Sequence, residues 1–257
     1  AAAEYVIPKS LRFNSGDSSH LSKTFAAAGN RRTWTWVGWV KRSKLSRGTL
    51  FSSGATVSAS FGLEFDNDNL VAYDYSGGFS WRLISTPVFR DPSAWYHVCV
   101  AFDSTQSTTA NRLKFYVNGV QITDFSTSDY PSQNFQSVIN NNVIHTIGSY
   151  QNNTLGFNGY LADVQFVDGQ ALAPTDFGET RSSDGVWVPK EFTGSYGTNG
   201  FHLNFSDSST NEALGFDSAP TTPDPDPKKG MDVITYTGNG GTQNIGGLNF
   251  EPGLVWI

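Results

Sequence analysis

The 257 residues carry 38% hydrophobic and 14% aromatic side chains and a net charge of −6, enough apolar mass for one large β domain or two smaller ones. Charged residues are only 16%, which excludes recognition of a nucleic-acid backbone through clustered Lys and Arg. No apolar run is long enough to insert into a bilayer, and the single cysteine, Cys99, excludes an intrachain disulfide.

Strand signals follow one another in short order from the N-terminus. The opening AAAEYVIPKS lacks the basic end and long apolar run of a signal peptide, and SLRFNS at 10–15 is a short alternating segment. TWTWVGWV at 33–40 is aromatic and β-branched, as a buried strand should be. The densest basic stretch, WVKRSKLSRG at 39–48, reads as a solvated strand end and loop. GTLFSSG follows, then SASFGLEFD at 58–66, where Phe61, Leu63 and Phe65 share one face and Gly62, Glu64 and Asp66 the other. NLVAYDYSGG and SWRLIST read as an antiparallel pair.

WYHVCVAF at 95–102 is the clearest strand. Tyr96, Val98, Val100 and Phe102 point one way, and Trp95, His97, Cys99 and Ala101 the other. Both faces are mostly apolar, which predicts a central strand. STQSTTAN at 104–111 is a polar loop, and RLKFYVNGVQI a hairpin. Asn118-Gly119 suits a two-residue type I′ turn, where both positions need φ > 0. That register sets Val117 opposite Val120 and Phe115 opposite Ile122. Further on come NVIHTIGSY, FNGYLADVQFVDGQAL, a short helical turn after Pro174, GVWVPKEF and GFHLNFSD. At 219–230 the composition shifts to APTTPDPDPKKG, a proline density that favours an extended linker. The segment 231–257 reads as the first strands of a second β unit. Its apolar end, GLVWI, suggests the front part of a longer polypeptide. The expected architecture is an all-β, two-sheet antiparallel sandwich over 1–218, then the linker and the second unit.

The blocks LRFNSGDSSHLS, TWTWVGWVKR, WYHVCVAFD, LKFYVNGVQI, TIGSY and FNGYLADVQFVDGQAL resemble, in this order, the laminin-G-like, concanavalin A-like jelly roll. The resemblance covers 5–178, and the later strands extend it to about 218. A narrower resemblance is to large surface proteins of tailed bacteriophages, especially marine ones. IPKSLRFNSGDSSHLS, DFGETRSSDGVWVPKEFTGSYGTNGFHLNFSDSS and VITYTGNGGTQNIGGLNFEPGLVWI carry it. It implies a virion component: a tail fibre or spike, or a capsid fibre or decoration protein, assembled in the bacterial cytoplasm. Its implied partners are other virion proteins and host surface polysaccharide, and homo-oligomers are expected, fibre proteins often being trimers. A bacterial extracellular adhesin is an alternative.

Glycoside hydrolases that resemble this jelly roll place E-x-D-x-x-E on one strand as nucleophile, helper and general acid/base. Here EFDNDN supplies Glu64 and Asp66, but the third place is Asn69, which cannot donate and retrieve a proton. The expectation is therefore a non-enzymatic protein without a cofactor, with a polysaccharide depolymerase as the alternative. Asp66 and Asp68 are candidate Ca²⁺ ligands, against the competing reading of an ordinary Asn/Asp turn. The four histidines lack paired ligand spacing, and no G-x-S-x-G elbow is present. For sugar binding, Tyr73, Tyr75 and Trp81 flank the SGG turn. Tyr150 and Asn152 belong to a second polar loop at 149–156.

Overall fold

The computed structural model describes residues 5–56, 58–151 and 154–219. The chain divides into a unit Ala1–Ala219 and a second unit Pro220–Ile257. The expected second β unit, and all of the linker beyond Ala219, lie outside the described residues.

Two seven-stranded sheets form a sandwich. The first runs in the order β1 (Leu11–Phe13), β13 (Gly159–Asp168), β3 (Thr33–Arg42), β8 (Tyr96–Asp103), β9 (Leu113–Val117) and β10 (Val120–Ile122), and β16 (Phe201–Leu203) also pairs β13. The second runs β11 (Phe125–Asp129), β7 (Phe79–Val88), β6 (Asn69–Ser76), β5 (Ala59–Asp66), β4 (Gly48–Thr56), β12 (Ile144–Ile147) and β2 (Leu21–Thr24). All these ladders are antiparallel. A two-stranded ribbon, β14 (Gly178–Thr180) and β15 (Trp187–Pro189), is hydrogen-bonded to neither sheet, but its Trp187 packs against His97 of β8. This is the all-β antiparallel sandwich expected from the strand pattern, and it agrees with the jelly roll that the resemblance implies.

Period-two alternation sends one face of each strand between the sheets. Trp34 and Trp36 of β3, Phe51 of β4, Phe61 of β5, Phe102 of β8 and Phe166 of β13 are fully buried there. Trp34 stacks on Phe102 at 5.0 Å and meets Phe61 edge-on at 5.5 Å, the offset and T-shaped geometries that aromatic quadrupoles favour.

The outer face of the first sheet is also covered. Val37, Cys99 and Val167 form a second apolar cluster with Phe177 and Tyr196. That cover explains why both faces of β8 are apolar. It also places His97 between Trp39 at 5.1 Å and Trp187 at 5.7 Å, with neither ring nitrogen hydrogen-bonded. Burial pushes the His97 imidazole down to about 4 and pushes the Cys99 thiol up.

The hairpin forms in the expected register, Val117 with Val120 and Phe115 with Ile122, with φ of 50° at Asn118 and 77° at Gly119. The turn after Pro174 is a 3-10 turn at Pro174–Asp176. One feature of β13 breaks simple alternation. Its register with β3 shifts between Ala162 and Gln165, and Asp163 there adopts φ 49°, so this bulge brings Leu161, Val164 and Phe166 all to the core.

The basic stretch at 39–48 is not simply solvated. Arg42 is 1% exposed, ion-paired with Asp68 at 2.9 Å, and lies 4.7 Å from the Phe65 ring. Its long stem and planar head let it cross apolar surface and still reach a carboxylate.

Candidate functional site

The outer face of the second sheet gathers the chemistry. On β5 the residues turned away from the core are Ser60, Gly62, Glu64 and Asp66. Their cross-strand partners on β6 are Tyr75, Tyr73, Val71 and Asn69. Tyr73 in turn faces Arg82 on β7. Gly62 is required here because a Cβ would lie 2.5 Å from Cζ of Tyr73. Its absence lets the Tyr73 ring lie against the sheet.

Glu64 is 1% exposed on this face. Its Oε1 accepts from Arg47 Nη2 at 2.6 Å and Nε at 3.2 Å, and its Oε2 from the Thr49 hydroxyl at 3.4 Å. Burial raises the Glu64 carboxyl above its ordinary range, and the Arg47 guanidinium opposes that rise. Burial, with the Glu64 charge and Tyr150 beside it, also pushes the Tyr73 hydroxyl up.

The loop after β12 closes over one side of the patch. Tyr150 shares a 2.6 Å hydrogen bond with Ser60, and the Gln151 amide lies 3.4 Å from the Tyr150 hydroxyl. On the other side Phe79, 51% exposed, meets Tyr73 and Tyr75 edge-on at 5.5 and 5.4 Å. The Arg82 guanidinium lies 4.3 Å from the Phe79 ring centre, and its buried Nε has no hydrogen-bond partner. The patch thus combines the exposed Phe79 ring and the half-buried Tyr75 and Tyr150 with the Arg82 guanidinium, a buried ion pair and the Ser60–Tyr150 hydroxyl pair, while Tyr73 is itself buried, 6% exposed. Such a surface can stack on the apolar face of a ring and hydrogen-bond its polar edge.

Of the residues nominated from sequence, Tyr73, Tyr75 and Tyr150 come together on this face. Trp81 does not. It is 1% exposed, 6.1 Å from Phe61 and 5.9 Å from Phe102, inside the sandwich. Its position opposite Asp74 fixes this, because both belong to the inward set of β6 and β7. Asn152 lies outside the described residues. The strand pattern does not single out Arg47, Phe79 and Arg82; the Gly-Gly-Phe sequence at 77–79 beside Tyr75 is the available signal.

The two candidate Ca²⁺ ligands are committed elsewhere. Asn67 and Asp68 take φ of 46° and 69° in the β5–β6 turn. Asp68 pairs with Arg42 and, at 3.4 Å, with Arg90, while Asp66 is 3.8 Å from Arg47. Among the described residues no three His, Cys, Asp or Glu side chains converge as metal ligands. Asn69, at the place of the third carboxyl, donates its amide to the Ser85 carbonyl at 2.7 Å and acts as a strand clamp.

The fold matches solved structures broadly. A heptameric SAP-like pentraxin from Limulus polyphemus is 21% identical over 60% of this chain and 71% of that one, with a TM-score of 0.43. Domain 4 of AbnA, an extracellular arabinanase from Geobacillus stearothermophilus, is 18% identical over 58% of this chain and 66% of that one, at 0.44. The enzymatically active domain of bacteriophage CBA120 tailspike protein 2 is 13% identical over 65% of this chain but only 26% of that one, at 0.43. At these identities and scores the likeness is to the fold and carries nothing about ligand or activity. No curated protein sequence matches the chain. The family description of laminin-G type matches residues 14–176, from the end of β1 through β13 to the Pro174–Asp176 turn, and the chain therefore belongs to the concanavalin A-like lectin/glucanases superfamily.

Proposed function

We propose that this jelly roll is a non-enzymatic glycan-binding domain on the surface of a bacteriophage virion, attaching to host polysaccharide or to neighbouring virion proteins. The observation that carries the glycan reading is the outer-face patch of Tyr73, Tyr75, Phe79, Arg82 and Tyr150 around the buried Glu64–Arg47 pair. The patch is shallow, so single-site affinity is weak, and many copies on one particle raise it by effective concentration. The virion assignment rests on the three sequence blocks that resemble phage surface proteins.

Two features favour binding over cleavage. Glu64 spends Oε1 on both Arg47 nitrogens, and the position for an acid/base holds Asn69, whose amide is tied to the β7 backbone. A retaining mechanism needs a second carboxyl that cycles between acid and base, and neither side chain is placed for that role.

Incubation of the protein with capsular polysaccharide from host strains, followed by a reducing-end assay, tests the non-enzymatic part; turnover would replace it with a depolymerase. Immunogold labelling of intact phage particles tests the location, and particles left unlabelled would favour an adhesin.

A further inference from the structure

We propose that the open edge of the sandwich holds a second site, which takes a small neutral aromatic molecule or the aryl group of a larger one. A cavity of about 380 Å³ lies between β2, the edge strand of the second sheet, β16 of the first, and the segment 211–217. Its floor is Phe25, Phe51, His145, Ile147, Phe201 and Leu203, none more than 7% exposed. None of its lining residues belongs to the outer-face patch, so the inference stands apart from the glycan reading.

The floor dictates the ligand class. His145 is its one titratable group, and both ring nitrogens are committed. Nε2 accepts the Asn140 N–H at 3.0 Å, and Nδ1 donates to the Val143 carbonyl at 2.8 Å. The floor side chains therefore offer a guest rings and methyl groups but no free donor or acceptor. Their rings meet at different tilts, Phe25 to His145 at 30° and Phe51 to Phe201 at 74°, so both faces and edges are presented to a flat guest. Protein interiors are otherwise close-packed. An enclosed apolar cavity of about 150 Å³ admits benzene; this one is larger and open to solvent on one side, and its volume falls in the range of about 300–1,000 Å³ typical of ligand sites. Lys23 and Asp217 also line the cavity; Lys23 is exposed, and Asp217 Oδ1 accepts the His202 and Ala219 N–H groups at 2.8 and 2.9 Å. Phe201, Leu203 and Asp217 come from sequence beyond the family match at 14–176.

Gly215 provides the test. It lines the cavity, and a Cβ built on it meets only Leu21 Cδ2, at 3.8 Å. The full chain is titrated with toluene and followed by melting and by methyl NMR. The expected result is saturable binding that raises Tm and shifts the Ile147 and Leu203 methyls. In Gly215→Phe the affinity for toluene should fall at least tenfold, while the variant melts higher than the parent without toluene. If the phenyl ring prevents folding, Gly215→Leu serves with the same expected direction. Absence of saturable binding up to the solubility of toluene, equal affinity in parent and variant, or shifts confined to methyls outside the cavity would each overturn the proposal.

Discussion

Glu64 and Arg47 show how one buried carboxylate organises a surface. Arg47 leaves 42% of its side chain in solvent while Glu64 leaves 1%, so the pair is anchored from one side only. Removing the cation strands the carboxylate. Arg47→Met is expected to cost about 1–3 kcal/mol in urea unfolding, below the range for a fully enclosed pair because water reaches Arg47. Adding Glu64→Gln should restore part of that loss. A cost for Glu64→Gln alone equal to that of Arg47→Met, with no recovery in the double variant, contradicts the pairing. Gly62→Ala tests the patch from beneath. Its Cβ would strike the Tyr73 ring, so the variant should lose roughly 1–3 kcal/mol through overpacking. It should also bind glycan more weakly than the parent, as measured on the same samples.

At the scale of single elements, β6 explains why the site was only partly legible. Its outward residues, Val71, Tyr73 and Tyr75, are more hydrophobic than the inward set of Leu70, Ala72 and Asp74, so alternation alone does not say which face is core. Asp74 is tolerated inside because the Ser137 hydroxyl and the Val138 N–H donate to it at 2.7 and 2.8 Å, partners 63 and 64 residues away that no local pattern reveals. The same ambiguity hid the inward direction of Trp81 on β7. Strands with both faces covered, such as β8, and the Asn118-Gly119 turn were legible, because their signals are local and complete. The β13 bulge was half-visible: Leu161, Val164 and Phe166 are spaced three and two apart, and only an extra residue at Asp163 brings them to one face. The hairpin turn gives a direct test. Gly119 has φ of 77°, and a Cβ there would lie 2.4 Å from the Trp187 ring. Gly119→Ala should therefore destabilise the protein by more than the roughly 1–3 kcal/mol of backbone strain alone, read from thermal or urea unfolding. A neutral substitution would mean that β15 does not pack on this turn.

For the whole molecule, burial of ionisable groups sets a pH dependence. Burial holds His97 and His145 down at about 4, so as pH falls through about 6.5 the unfolded chain takes up these protons first. Their contribution is complete above about 6.5 and is lost as pH drops toward 4. Asp74, pushed up to about 6 by burial, works the other way, since the folded state binds its proton first and gains stability as pH falls below 6. Glu64 and Asp217, also raised by burial, act in the same sense as Asp74, so the carboxyls oppose the histidines between pH 6 and 4. Denaturant midpoints of the parent and of His97→Leu across that range isolate the histidine part: the variant should lose less stability than the parent as pH falls from 7 to 4. His97→Leu, which also removes two unpartnered buried nitrogens, should cost little or nothing at pH 7.

Glycan recognition by the outer face of the second sheet, as proposed, depends on Tyr75 and Phe79. The most direct measurement is a titration of host surface oligosaccharides into the parent protein and into a Tyr75→Ala, Phe79→Ala double variant, with folding of both confirmed by circular dichroism. Saturable binding by the parent and at least a tenfold weaker Kd for the variant, about 1.4 kcal/mol, is the predicted result. Equal affinity in the two proteins would contradict it.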